Sequence, residues 1–435
     1  MMNMKIISFL FLLTVTAFSQ HAEKKVFPDA KESDPELLRW MNGFPPAEEK
    51  TVRFSDGTFF MFPQLRWTVA NFRQLMPTVR VSRGLEAPIP LPRKERSDID
   101  DIEFTPIGSD QPMTWAASLM KNYTDGILVL HKGNIVYERY FGALKEDEVH
   151  AAMSVTKSFV GTLAAMLVFE GKLDTSKMVV DYIPELKESA YADASVRQVM
   201  DMTTGLKFSE DYSDPKAEIW AFGTAGNPLP KPKDYKGPRS YYEYLQTVQK
   251  QGEHGTGFGY KTVNTEVLGW IVARASGLSV PNLLSQRIWR RLGMEQSAYF
   301  TVDGIGTAFA GGGLNAGLRD MARFGEMMRN NGRFGEQQII PQAAVQDIRS
   351  GGDKLKFNKS GINLSGWSYR NMWWITNNEH GAFTARGVHG QTIYIDPMAE
   401  MVIVRFASHP IAKNAAFDAY SLPAYHSLAK YLMQN

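Results

Sequence analysis

Two hairpin signals lie on either side of a long helical stretch, and together they leave this chain few architectures. Residues 126–131 and 135–140 are apolar runs that flank Lys132-Gly133-Asn134. Residues 392–395 and 401–406 repeat the pattern around a turn at Asp396-Pro397, and Trp373-Trp374-Ile375 reads as a further strand. Between them the chain reads mostly helical, over 158–170, 195–203, 240–250, 265–276, 281–291 and 318–330, and a helix over 415–433 closes it. Strands at both ends with helices between predict an α+β fold: an antiparallel sheet flanked by helices, interrupted by a mainly helical insertion. The predicted divisions are a leader at 1–19, an N-terminal extension at 20–112 packed on the body, a sheet region at 113–170 and 300–435, and a helical region at 171–299. A cleft between two such lobes is a natural ligand pocket.

Composition narrows the chemistry. The 435 residues are 44% hydrophobic, enough for a substantial core. Forty-eight basic residues against 46 acidic ones, with no basic block, argue against a nucleic-acid partner. Cysteine is absent, which removes disulfides, thiolate catalysis and cysteine-ligated metal. The eight histidines show no His-x-x-x-His or His-Glu-x-x-His spacing, so neither a metal nor another cofactor is expected. Lys5, the apolar run 6–18 and Ala17-Phe18-Ser19 before Gln20 read as an export signal. That run is short for a bilayer span, so the expected mature protein is periplasmic or secreted, without stable membrane insertion.

The segment with the clearest chemical content is Met153-Ser154-Val155-Thr156-Lys157. Residues three apart on a helix share a face, so Ser154 and Lys157 can touch without help from elsewhere. A serine hydroxyl is a poor nucleophile, and an amine stripped of its proton by burial can serve as its base. Ser-x-x-Lys occurs four times here, at Ser118/Lys121, Ser154/Lys157, Ser213/Lys216 and Ser427/Lys430. Pro215 interrupts the third, the fourth sits on the closing helix, and Ser118 reads as a polar approach to a strand. Only Ser154 opens a long apolar helix, in which Gly161 allows close backbone approach.

Two further segments join it: Phe258-Gly259-Tyr260-Lys261-Thr262-Val263-Asn264-Thr265 before a helix, and Gly387-Val388-His389-Gly390-Gln391 leading into a strand. The order serine–lysine, tyrosine, glycine-bearing strand resembles the serine beta-lactamase and penicillin-binding superfamily, in particular its class C beta-lactamase-like branch. Met202-Thr203-Thr204-Gly205-Leu206, Arg291-Leu292-Gly293-Met294 and Gly311-Gly312-Gly313-Leu314 before Arg319-Asp320-Met321-Ala322-Arg323-Phe324 are similar to segments of that branch. Arg66-Trp67, Met76-Pro77-Thr78 and Phe208-Ser209-Glu210-Asp211-Tyr212 resemble the 6-aminohexanoate-dimer (nylon-oligomer) hydrolases in particular.

The resemblance implies an exported serine hydrolase that cleaves a small amide or ester through an acyl-enzyme on Ser154, with Lys157 and Tyr260 as its proton handlers. It implies an oxyanion site from the Ser154 amide and, after Gly390, the Gln391 amide, with His389 beside them. It places Tyr212 on a loop over the substrate and leaves Asn264 as either a substrate contact or a helix cap. Val388-His389-Gly390 stands where penicillin-binding relatives carry Lys-Thr-Gly, so the expected strand cation is missing. The rival readings are a penicillin-binding or D-amino-acid peptidase acting on cell-wall peptides, and a non-catalytic binding or sensor domain of the same fold.

Overall fold

The computed structural model describes residues 27–434, so the expected leader at 1–19 lies outside the described residues. Seven strands form the main sheet, in the order Ser368–Arg370, Trp373–Ile375, Phe383–Gly387, Gln391–Asp396, Met401–Ala407, Thr124–His131 and Asn134–Tyr140. All neighbours pair antiparallel. The two distant hairpins meet edge to edge, with Val402 opposite Leu130 and Val404 opposite Leu128.

Period-two alternation explains why both faces of the sheet are covered. Ile127, Val129, Tyr394, Met401 and Ile403 face one way and pack with Trp115, Tyr425 and Leu428, from the helices Trp115–Lys121 and Asp418–Gln434. Leu128, Leu130, Ile393, Val402 and Val404 face the other way, in the same core as Phe159 and Leu163 of Val155–Phe169 and Phe324 of Leu318–Arg329. The helix Val155–Phe169 also packs on Thr262–Ser276. It therefore joins the sheet to the helical region. Gly161 makes this possible, because a Cβ there would sit 2.1 Å from the Asn371 carbonyl oxygen.

The N-terminal extension reaches the same place. Leu65, Val69 and Phe72 pack with Ala151, Met153 and Tyr299. Arg66 is buried and donates to Asp125 at 3.1 Å and to Ser408 at 3.1 Å. A four-stranded sheet of Thr78–Val81, Ala298–Thr301, Leu314–Ala316 and His150–Ala151 ends just before Ser154. Among the described residues no single helix is long and apolar enough to cross a membrane.

Several local expectations change. The helices at 195–203 and 240–250 shorten to Val196–Met200 and Tyr241–Leu245, and 281–291 divides into Val280–Leu284 and a π-helical turn at Ser285–Trp289. Ser118 is not on a polar approach to a strand: it is buried in the helix Trp115–Lys121 and donates to the Trp115 carbonyl at 2.7 Å. The strand Phe383–Gly387 and the helix Glu218–Gly226 carry no clear signal in the sequence. Both border the cleft.

Candidate active site

Ser154 sits at the start of its helix because the chain before it is held on both sides. The Ala151 amide donates to Val69 at 2.7 Å and the Ala152 amide to Leu314 at 2.8 Å. Met153 then adopts φ of 46°, a left-handed conformation that a non-glycine residue holds only under constraint. The constraint is visible: Thr156 Oγ1 donates to the Met153 carbonyl at 2.6 Å and accepts the Leu314 amide at 3.1 Å. The serine is thus held at a sharp strand-to-helix turn.

One turn on, Lys157 Nζ donates to Ser154 Oγ at 3.0 Å and to the Gly311 carbonyl at 2.5 Å. Lys157 is fully buried, and burial lowers its pKa to about 8, against the opposing pull of the Glu210 and Glu266 carboxylates. Glu266 also holds the lysine's second acceptor in place. Its carboxylate accepts the amides of Gly311 at 2.5 Å and Ala310 at 3.2 Å, and burial pushes its own pKa up to about 8. Gly311 must be glycine here, since a Cβ would lie 2.4 Å from Thr262 Cγ2.

Tyr260 completes the group. Its ring stacks on Trp374 at 5.4 Å, meets Tyr369 edge-on at 6.3 Å, and lies 5.1 Å from Lys157 Nζ. Ser154 beside it pulls the phenol's pKa down a little, yet burial holds it well above its ordinary value. It therefore stays protonated and is a proton donor at neutral pH. Glu210 is half-buried beside it and accepts the Thr262 amide, and desolvation raises its pKa despite the nearby Lys157 cation.

The strand side departs from the sequence reading by three residues. Gly387 abuts Ser154: a Cβ on it would lie 2.8 Å from the Ala152 carbonyl oxygen and 3.0 Å from the Ser154 amide. Val388, the next residue, lines the cleft with Ser154. His389, Gly390 and Gln391 are turned away from it. His389 takes φ of 60°, its Nδ1 lies 2.7 Å from the His409 carbonyl, and its ring meets Phe60 edge-on. Burial lowers its pKa to about 4, so it is neutral. The Gly390 amide donates to Asn414 at 3.1 Å. The Gln391 side chain is buried against Ala407, donating to its carbonyl at 2.6 Å and accepting its amide at 3.1 Å. The structure therefore brings the Gly387–Val388 step, and not Gln391, up against Ser154.

Two more expectations change. Asn264 neither caps its helix nor lines the cleft; its buried Oδ1 accepts Tyr191 at 3.2 Å and Thr204 at 2.9 Å. The strand is not without a cation, because Arg386 lines the cleft and pairs with Asp418. Tyr212 does reach the cleft, where it packs edge-on against Trp220 at 6.0 Å and lines both of its halves.

Those halves differ. Ser154 lies where two cavities meet. One, of about 270 Å³, is walled by Phe54, Phe59, Phe60 and Phe72 from the N-terminal extension, facing Trp220 and Phe222. The other, of about 440 Å³, contains Tyr260, Trp374 and four charged side chains: Glu210, Arg386, Lys413 and Asp418. Outside both, Glu379, His380 and His426 bring possible metal-ligand atoms within 4.8 Å of one another, and His380 Nδ1 is paired with Asp396 at 2.7 Å.

Glu210, Glu266 and Arg386 were not singled out from sequence, and within the strand motif the role went to Gly390-Gln391 and not to Gly387-Val388. Glu210 lay within a segment already noted for its resemblance, and Arg386 immediately precedes the segment Gly387-Val388-His389-Gly390-Gln391 taken for the strand motif. Glu266 and Gly311 meet only through tertiary packing.

Comparison with known proteins places this geometry among hydrolases. The beta-lactamase family model matches residues 116–422. A 6-aminohexanoate-dimer hydrolase of Paenarthrobacter ureafaciens is 35% identical over 352 residues, 80% of this chain and 86% of that protein. A Bacillus anthracis protein provisionally described as a 6-aminohexanoate-dimer hydrolase superposes with a TM-score of 0.80 at 33% identity, covering 88% of this chain and 99% of the other. A Bacteroides dorei protein provisionally described as a beta-lactamase shares the fold at a TM-score of 0.56 and 19% identity, covering 72% of this chain and 96% of its own.

Proposed function

Because this chain is a hydrolase that belongs to the beta-lactamase family, we propose that it is an exported serine amidase or esterase working through an acyl-enzyme on Ser154. The observation that carries this reading is the 3.0 Å approach of a fully buried Lys157 amine to Ser154 Oγ. With its pKa lowered to about 8, a useful fraction of that amine is neutral near physiological pH.

Neutral Lys157 takes the Ser154 proton as Oγ bonds to the substrate carbonyl carbon. The carbonyl oxygen becomes an oxyanion, which the amides of Ser154 and Val388 stabilise in this reading. The first lies at a helix start, where backbone donors lack intrahelical acceptors. As the tetrahedral intermediate collapses, the carbon–nitrogen or carbon–oxygen bond breaks and the Tyr260 hydroxyl protonates the leaving atom. The proton held by Lys157 then restores the phenol. Water adds to the acyl-enzyme by the same route in reverse, giving the free acid and Ser154. Glu266 positions Gly311 and through it Lys157, and Tyr212 is placed to contact substrate as it enters.

Hydrolysis of p-nitrophenyl esters by the parent and by Ser154→Ala tests this. The parent turns over with a burst of p-nitrophenol, and the variant shows neither burst nor turnover above buffer. Parent-like hydrolysis by folded Ser154→Ala would remove the serine from the mechanism.

A further inference from the structure

We propose that this enzyme selects an uncharged, apolar acyl group, seated in the phenylalanine-walled cavity, and releases its leaving group through the charged cavity on the other side of Ser154. The inference rests on the acyl-enzyme reading above and deepens it.

Direction comes first. The leaving atom must face the group that protonates it, and the Tyr260 hydroxyl is that group. Tyr260 lines the charged cavity and is absent from the lining of the other. The leaving group is therefore on the Tyr260 side, and the acyl chain extends from Ser154 into the second space.

The character of that space follows from its walls. Among the described residues no Asp, Glu, Lys, Arg or His side chain lines it. Phe54, Phe59, Phe60 and Phe72 form one wall and Ile219, Trp220 and Phe222 the other. An ammonium carried on the acyl chain would lose its hydration there with no carboxylate to replace it, which is costly. A methylene or an aryl ring gains from the same transfer. A 6-aminohexanoyl group, the acyl half suggested by the names of two of the relatives above, ends in such an ammonium. The apolar walls of this chain's cavity suit the methylenes of that group but not its terminal ammonium.

Gly223 supplies a way to change that. It lines the cavity from the helix Glu218–Gly226, and a Cβ built on it would meet nothing within 4 Å. An aspartate introduced at that point would start from an unobstructed Cβ.

The test uses p-nitrophenyl acetate, butyrate, hexanoate and 6-aminohexanoate, so the leaving group is constant. For the parent enzyme kcat/KM rises from acetate to hexanoate, by up to about fourfold per methylene, the equivalent of about 0.8 kcal/mol for each buried CH₂. The 6-aminohexanoate ester falls at least about tenfold below hexanoate, and Gly223→Asp narrows or reverses that gap. A flat response to chain length, or 6-aminohexanoate equal to hexanoate in the parent, overturns the proposal while leaving the serine mechanism intact. Loss of the mechanism itself would look different, since no ester in the series would then be hydrolysed in a Ser154-dependent way. The parent series decides the proposal even if Gly223→Asp does not fold.

Discussion

Ser154 is approached from two sides that were put together differently. On the helix side, Met153, Ser154 and Lys157 lie within five consecutive residues, and helical geometry alone brings the amine to the hydroxyl. On the strand side, Gly387 and Val388 arrive from more than two hundred residues away, and only the register of the sheet decides which amide faces the serine. The helix side was legible from sequence to the residue. The strand side was displaced by three, because two glycines, Gly387 and Gly390, compete for one role. The first ends the strand Phe383–Gly387 against Ser154, and the second lies in the turn that leads away to Gln391–Asp396. Local spacing fixes local contacts, whereas register depends on pairing partners that a linear reading does not weigh.

Substitutions on the two sides test this contrast. The largest effect is expected on the helix side: Lys157→Met keeps the bulk, removes the base, and lowers kcat by about 10³- to 10⁴-fold in steady-state ester hydrolysis. On the strand side, Gly387→Ala forces a methyl group to within 3.0 Å of the Ser154 amide. Its kcat falls by about 10²-fold, as for loss of one oxyanion donor, with KM for small esters little changed.

A smaller effect separates the carboxylates from the base. Lys157 acts as acceptor only when neutral, so kcat/KM climbs with pH and levels off above about 8. The Glu210 anion favours the lysine's charged form, so Glu210→Gln lowers the Lys157 pKa and moves that rising limb to lower pH in a pH–rate profile. A limb that stays in place, or moves up, would detach Glu210 from the base.

The smallest catalytic effect is expected where sequence placed the oxyanion site. Gln391→Leu strands the Ala407 amide and carbonyl, costing about 1–3 kcal/mol of stability in chemical denaturation. The folded fraction keeps a kcat within about twofold of the parent. A loss of kcat comparable to that of Gly387→Ala would restore Gln391 to the site.

The same division runs through the rest of the molecule. Both hairpins and the serine helix announced themselves, because apolar alternation and a long apolar run are local signals. The sheet's central joint, Met401–Ala407 against Thr124–His131, was implied only by topology. The strand Phe383–Gly387 went unseen: Phe383-Thr384-Ala385-Arg386-Gly387 is short, and its charged Arg386 faces the cleft, where Asp418 balances it. Phe59, Phe60 and Phe72 of the N-terminal extension pack with Ala151, Met153 and Tyr299. Nothing in their spacing revealed that they also wall a cavity beside the serine. Asn264 shows the converse, a polar residue beside a site motif that is used to tie Tyr191 to Thr204.

The central claim is that the buried Lys157 amine makes the Ser154 oxygen the reacting nucleophile. Intact-protein mass spectrometry after exposure to a fluorophosphonate, followed by peptide mapping, tests it most directly. A single adduct on the peptide containing Ser154, abolished in Ser154→Ala and strongly slowed in Lys157→Met, is the predicted result. An adduct on another residue, or equal labelling of all three proteins, would contradict it.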